Sequence, residues 1–173
     1  MTLIVLLRGL AGLEPCAIVA LSKAWSDAVD LREHPPRRSR ERLAGFIWLP
    51  RLIDKVRAFQ AGTLGAYAYP SLTDRLFMRK FHLTPALLEQ TVRATLIDEL
   101  IAEQLQRASG LSQNTIAASS DAFERKYRLV FAVLDCDDGY TSGIGYPIPR
   151  FLQPFLWNWY KAWAAKKASA TDL

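Results

Sequence analysis

The sequence predicts an all-α protein. A compact bundle of about six short helices is expected over residues 30–139, preceded by an apolar N-terminal extension (1–29). A Gly/Pro linker and an aromatic, amphipathic C-terminal helix (140–173) follow. Three observations predict this. Apolar residues recur at three- and four-residue spacing, most clearly in Phe123, Tyr127, Val130, Phe131 and Leu134. Helix-start pairs stand ahead of such stripes: Ser71 with Asp74, and Thr84 before Pro85. Outside the N-terminus, β-branched runs alternate over no more than a few residues.

At 173 residues one domain is the default, and with 50% hydrophobic residues a sizeable core can form. The net charge of +5 is local. Between residues 32 and 57 eight basic side chains face three acidic ones, which accounts for the whole excess. Cys16 and Cys136 are too few for a disulfide framework or a zinc site, and fit a reducing cytoplasm. His34 and His82 stand alone, and no Gly-rich run precedes Lys-Ser or Lys-Thr. The sequence therefore assigns no catalytic residue, no metal ligand and no cofactor.

In residues 1–29 two apolar runs, 3–7 and 17–21, fall short of the ~20 residues a spanning helix needs. No basic region precedes the first run, and no convincing cleavage site follows it. The reading is an extension packed loosely on the domain, with membrane contact as the alternative that its apolar content leaves open. His34-Pro35-Pro36 then makes an extended lead-in carrying Arg37 and Arg38. A basic arm for nucleic acid is the functional alternative there. Aromatic residues and a helix-turn-helix or zinc motif do not accompany it, so the sequence argues against it.

Residues 40–69 organise the chain. Pro50 suits the first turn of a helix and pushes Leu49 out of the α region. Two helices are expected to meet there, over residues 39–48 and 50–61. Ser39 would cap the first, with Glu41 in its first turn, and Gly62 would end the second. In the second helix Leu52, Ile53, Val56 and Phe59 share one face with Gln60, while Arg51, Asp54 and Lys55 point elsewhere. Asp54 lies one turn from both Arg51 and Arg57, and a carboxylate between two guanidiniums should stay ionised. The cluster is read as a solvated face, a partly buried ion network, or a ligand site.

Pro36-Arg37, Arg40-Glu41-Arg42-Leu43, Gly45, Leu49-Pro50-Arg51-Leu52-Ile53-Asp54-Lys55, Arg57-Ala58, Gly62, Leu64-Gly65 and Tyr67 form a long motif. It resembles the signature of a bacterial family known as domain of unknown function 5069. The likeness is dense over residues 30–74 and faint from there to 139. It departs at Ala66, where an acidic residue is expected, and at Pro70 and Thr73. The resemblance implies a small, largely helical bacterial domain and implies no reaction.

Downstream, Gly65 to Pro70 reads as a loop whose Tyr67 and Tyr69 could close over the charged helix or pack on the core. The Ser71/Asp74 pair opens a helix over 72–81, and Thr84-Pro85 one that runs to about 108. Thr95 with Asp98 could split the latter in two. Ser112 would cap a short turn through 117, and Ser119-Ser120-Asp121 would open the next helix. Asp135, Asp137 and Asp138 sit at that helix's C-terminus, where the dipole disfavours carboxylates. That charge placement leads to the expectation that they dock against the basic helix around Arg51 and Arg57 or the Arg37–Arg42 arm; a calcium loop is the rival, and its spacing is wrong. In the last helix, over 154–168, Phe155, Trp159 and Trp163 line up beside Leu156 and Tyr160, with Trp157 off that face. That face is read as packing on the domain.

The function expected is a non-catalytic binding or interaction module. Arg51, Asp54, Lys55, Arg57, Tyr67 and Tyr69 would bind an anionic small molecule or an acidic protein surface. Arg42, Asp74, Asp135 and Asp137 would form a structural ion network. One alternative is an enzyme acting on an anionic small molecule, with Asp54 or Asp74 as its acid–base group. The other is a peripheral membrane protein using both termini. The location expected is the cytoplasm, at the membrane periphery in the last case.

Overall fold

A computed structural model describes residues 29–140 and 152–169. The readings of the extension before residue 29 and of the linker over 141–149 lie outside these residues. The described chain forms six helices and one minimal hairpin: β1 (Arg42–Leu43), β2 (Phe46–Ile47), α1 (Leu49–Ala61), α2 (Leu72–Lys80), α3 (Pro85–Ala94), α4 (Asp98–Ser109), α5 (Gln113–Asp137) and α6 (Gln153–Ser169). The all-α class holds, with almost no strand.

The helix expected over 39–48 is not there. β1 and β2 pair antiparallel instead, Arg42 opposite Ile47 and Leu43 opposite Phe46. Ala44 and Gly45 both take positive φ, 46° and 83°, as a two-residue hairpin turn of matching twist requires. A Cβ on Gly45 would also come within 2.9 Å of Gln113 Nε2. The hairpin delivers Phe46, Ile47 and Trp48 wholly into the core. Trp48 then turns left-handed at φ 69°, which lets Pro50 sit in the first turn of α1. Such a conformation costs a bulky residue roughly 1–2 kcal/mol. Offsetting contacts surround the indole: it stacks on Phe131 at 5.2 Å and donates from Nε1 to Asp74 Oδ1 at 3.0 Å.

α1 runs through the middle of the protein. Leu49, Leu52, Ile53 and Val56 are completely buried, and each such burial contributes about 1.5–3 kcal/mol. Gly62, at φ 72°, ends the helix with its N–H on the carbonyls of the last turn. α2 starts with a reciprocal capping box between Ser71 and Asp74. Thr84 caps α3 by accepting the Leu87 N–H at 3.2 Å. The stretch up to residue 108 is two helices, α3 and α4, broken at Thr95, whose hydroxyl accepts the Ile97 N–H at 3.2 Å rather than capping Asp98.

The expected break before Ser119 is absent. α5 continues through it from its Ser112 cap to Asp137, with one non-helical residue at Tyr127 (φ −109°, ψ 17°). Ser120 is fully buried in mid-helix and accepts the Ile47 N–H at 3.1 Å, tying β2 to α5. A serine that starts helices elsewhere serves here as a sheet partner. α6 packs against α5 and α2. Its inward residues are Leu156, Trp157, Tyr160 and Trp163, while Phe155 and Trp159 are exposed. The aromatic face is therefore rotated from the expected one, because α6 carries large apolar residues all round. None of the described helices is long and apolar enough to cross a membrane.

Candidate functional site

The charged residues of α1 do not form a cluster among themselves. Each leaves the helix toward a different partner. Arg51 Nη1 donates to Asp138 Oδ2 at 2.6 Å and to the Arg37 carbonyl at 3.2 Å. Lys55 pairs with Asp74 and donates to Ser71 Oγ at 3.2 Å. Arg57 Nη2 reaches Asp98 at 2.8 Å and the Leu96 carbonyl at 2.7 Å. Asp54 is not held by Arg51 and Arg57 as expected. Its partner is Arg37, whose Nε and Nη2 grip both carboxylate oxygens at 2.7–3.0 Å, with the Arg37 backbone N–H adding a bond at 2.9 Å. Arg37 Nη1 continues to Asp98 at 2.5 Å. Charge therefore alternates along Asp54, Arg37, Asp98 and Arg57, clamping the lead-in onto α1 and the start of α4.

Burial makes these pairs consequential. Arg51, Asp54, Lys55 and Asp74 are 2%, 8%, 4% and 0% exposed. Buried ions are costly to desolvate, so a pair adds little net stability, yet removing one partner leaves an uncompensated charge. Asp74 shows how the second partner is satisfied: it accepts from Trp48 Nε1, Lys55 and the Ser71 N–H. Burial pulls the Lys55 amine below its ordinary value, and the Asp74 carboxylate opposes that shift.

The acidic turn ending α5 docks on α1, as its unfavourable position on the helix dipole predicts. The residue that reaches Arg51 is Asp138, whose second oxygen accepts the Tyr67 hydroxyl at 2.7 Å. Asp135, buried, accepts the Ser39 N–H at 2.8 Å and so holds the start of the arm. Asp137 is exposed as a residue, and its carboxyl is partly desolvated beside Asp138. Burial, then the neighbouring Asp138 charge, raises its carboxyl pKa above the usual range. Arg42 stands apart from this network, pairing at the surface with Asp121 and Glu124, both at 2.8 Å.

Over this network opens a cavity of about 360 Å3, with Arg51 and Lys55 among its lining and the rings of Trp48, Tyr67, Trp157 and Tyr160 around them. The Arg51 guanidinium stands over the Trp48 ring at 5.3 Å and the Tyr67 ring at 5.8 Å. Asp137 and Asp138 supply the cavity's acidic side. Of the residues expected to bind, Arg51, Lys55 and Tyr67 meet here. Asp54 faces a separate cavity of about 300 Å3 beside Arg37 and His34. Arg57 is spent on Asp98, and Tyr69 packs on Phe59 at 5.2 Å. Asp74 is buried beneath the cavity rather than lining it.

Trp48, Trp157, Tyr160 and Asp138 are among the lining residues that sequence reasoning left out of the site. Asp138 was within reach, as one of the three carboxylates at the wrong end of a dipole. The aromatic walls come together only through tertiary packing. A family model described as "Domain of unknown function (DUF5069)" matches residues 33–133. None of the curated proteins matches the chain.

Proposed function

Since the chain belongs to the family described as domain of unknown function (DUF5069), whose description carries no activity, we propose from the site alone that the protein is a non-catalytic binding module for a small anionic molecule with a planar or apolar body. The observation that carries this reading is the unused donor capacity of two buried cations in an aromatic-walled cavity. An ammonium has three N–H donors, and Asp74 and Ser71 take two from Lys55. Arg51 Nε is buried and meets no hydrogen-bond partner among the described residues. A carboxylate or phosphate entering the cavity would be drawn by the charge of both cations, which line it, and its body would lie between Trp48, Tyr67 and Trp157.

The reading is narrower than the charged surface anticipated from sequence, because Asp54, Arg57 and Tyr69 turn to structural contacts. Asp54 and Asp74, the acid–base candidates of an enzymatic reading, are each saturated by cations and amide or indole donors. A cytoplasmic location belongs to the same proposal, on the strength of the sparse, isolated thiols.

Ala68 lies exposed on the loop that borders the cavity. Ala68→Phe would fill the space without touching the core. Benzoate and phenyl phosphate serve as probes in thermal melts. The reading expects at least one to raise the wild-type melting temperature, with the shift lost in Ala68→Phe while that variant's own melting temperature is unchanged. No shift with either probe, or a shift that survives in Ala68→Phe, contradicts it.

A further inference from the structure

One groove of the molecule carries charge of a single sign. It measures about 490 Å3 and lies between α2, α5 and α6, floored by Leu76, Phe123 and Tyr127. Arg79, Lys80, Lys126 and Lys167 line it, all four are exposed, and no carboxylate is among its described lining residues. This is a different place from the cavity over Arg51 and Lys55, which carries both signs.

Next to it, α6 and the residue just before it leave large apolar side chains exposed. Leu152, Phe155 and Trp159 are 38%, 72% and 41% exposed. Their spacing of three and four residues puts them on one stripe, alongside the face that α6 packs inward. The stripe and the groove are joined by stacked rings. Trp159 stacks on Trp163 at 6.4 Å, and Trp163 meets Tyr127, a wall of the groove, at 6.1 Å.

We propose that stripe and groove together are a docking surface for an anionic phospholipid membrane. Phe155 and Trp159 sit at the boundary of headgroups and acyl chains, where tryptophan's amphipathic ring is favoured. Arg79, Lys80, Lys126 and Lys167 meet headgroup phosphates, each cation near such a surface being attracted by the leaflet's negative potential. The contact proposed is peripheral, made by side chains on the surface of α2, α5 and α6; none of the described helices is long and apolar enough to cross a membrane. A second copy of the chain fits the surface poorly. A two-fold contact sets a patch against itself, and here that would press four cations against four.

The test is co-sedimentation of the full chain with vesicles of phosphatidylcholine alone and of an equimolar phosphatidylcholine–phosphatidylglycerol mixture. Two variants accompany it, Phe155→Ser and the double reversal Arg79→Glu/Lys126→Glu, each first shown to melt as the wild type does. The proposal expects the wild type to pellet with the anionic vesicles and not with the neutral ones. Retention should weaken at least about tenfold in the double reversal and fall with added salt. It should also fall in Phe155→Ser. No pelleting with anionic vesicles, equal pelleting with both kinds, or unchanged retention in both variants overturns it. So does a concentration-dependent dimer in sedimentation velocity that Phe155→Ser disperses, if that variant pellets as the wild type does.

Discussion

Arg51 Nη1 and Asp138 Oδ2 lie 2.6 Å apart with both side chains almost fully buried, 3% and 2% exposed, so the first turn of α1 is tied to the last turn of α5 across 87 residues. The same carboxylate holds the Tyr67 hydroxyl, which brings the loop after α1 into the joint. The acidic turn that looked misplaced at the end of a helix thus closes the domain onto its central helix.

Arg37 is expected to matter more than its half-exposed position suggests. It grips both oxygens of Asp54 and reaches Asp98, so truncation leaves Asp54 without its counterion and Asp98 with Arg57 alone. Arg37→Ala should lower the stability by roughly 2–4 kcal/mol in urea unfolding, at about 1.5–3 kcal/mol for a hydrogen bond to a charged group, discounted for exposure. Arg37→Lys should recover less than half, because a lysine cannot reproduce the planar fork. Full recovery by lysine would show that charge alone, and not the bidentate geometry, secures the lead-in.

Adjacent substitutions in the hairpin turn should have opposite signs. Ala44 and Gly45 both sit at positive φ. Ala44→Asn installs the residue that tolerates this conformation and completes an Asn-Gly turn, and should stabilise by roughly 0.5 kcal/mol. Gly45→Ala meets both the left-handed penalty and the close approach to Gln113 Nε2, and should destabilise by roughly 1–2 kcal/mol. Thermal or urea unfolding of the two variants checks the pair, and equal signs would mean that the turn is not the one described.

Alkaline pH should weaken the fold through its tyrosines. Burial, reinforced by the Asp138 hydrogen bond and charge, raises the Tyr67 phenol above its ordinary value, and burial does the same to Tyr69 and Tyr160. A raised folded-state pKa means that the folded protein keeps protons the unfolded chain gives up. The associated stability is intact below about pH 10, where unfolded tyrosines ionise, and is lost as pH rises beyond it. Burial shifts Lys55 the other way, so its contribution grows with pH only up to the unfolded lysine value of about 10.5 and leaves the tyrosine loss at higher pH in place. Ultraviolet titration of tyrosinate should show a fraction of the six tyrosines ionising only with unfolding, and Tyr67→Phe should reduce that fraction. Simple titration of all six near the free value would refute the described packing.

Signals confined to a few neighbouring residues were legible in the sequence. Ser71 with Asp74, Thr84 with Pro85, and Gly62 after α1 each name a helix end, because the capping bond is local. The hairpin was not legible. Ala44-Gly45 lacks the asparagine or aspartate that marks such a turn, and its flanking strands are two residues long, too short to show alternation. Asp54's partner was hidden for a different reason: Arg51 and Arg57 are one helical turn away, but both are drawn off the helix by carboxylates at 138 and 98, leaving Asp54 to an arginine 17 residues back. In α6 the periodicity could not choose a face, since Phe155 and Trp159 on one side match Trp157 and Tyr160 on the other.

The joint between α1 and α5 is tested most directly by a double-mutant cycle in urea unfolding with Arg51→Met, Asp138→Leu and the pair combined. Each single change leaves a buried charge without its counterion, so each should cost about 3–5 kcal/mol, and the double variant, with both charges gone, should be more stable than either single one. Single changes within about 0.5 kcal/mol of wild type, combining additively, would contradict a buried ion pair at the centre of the fold.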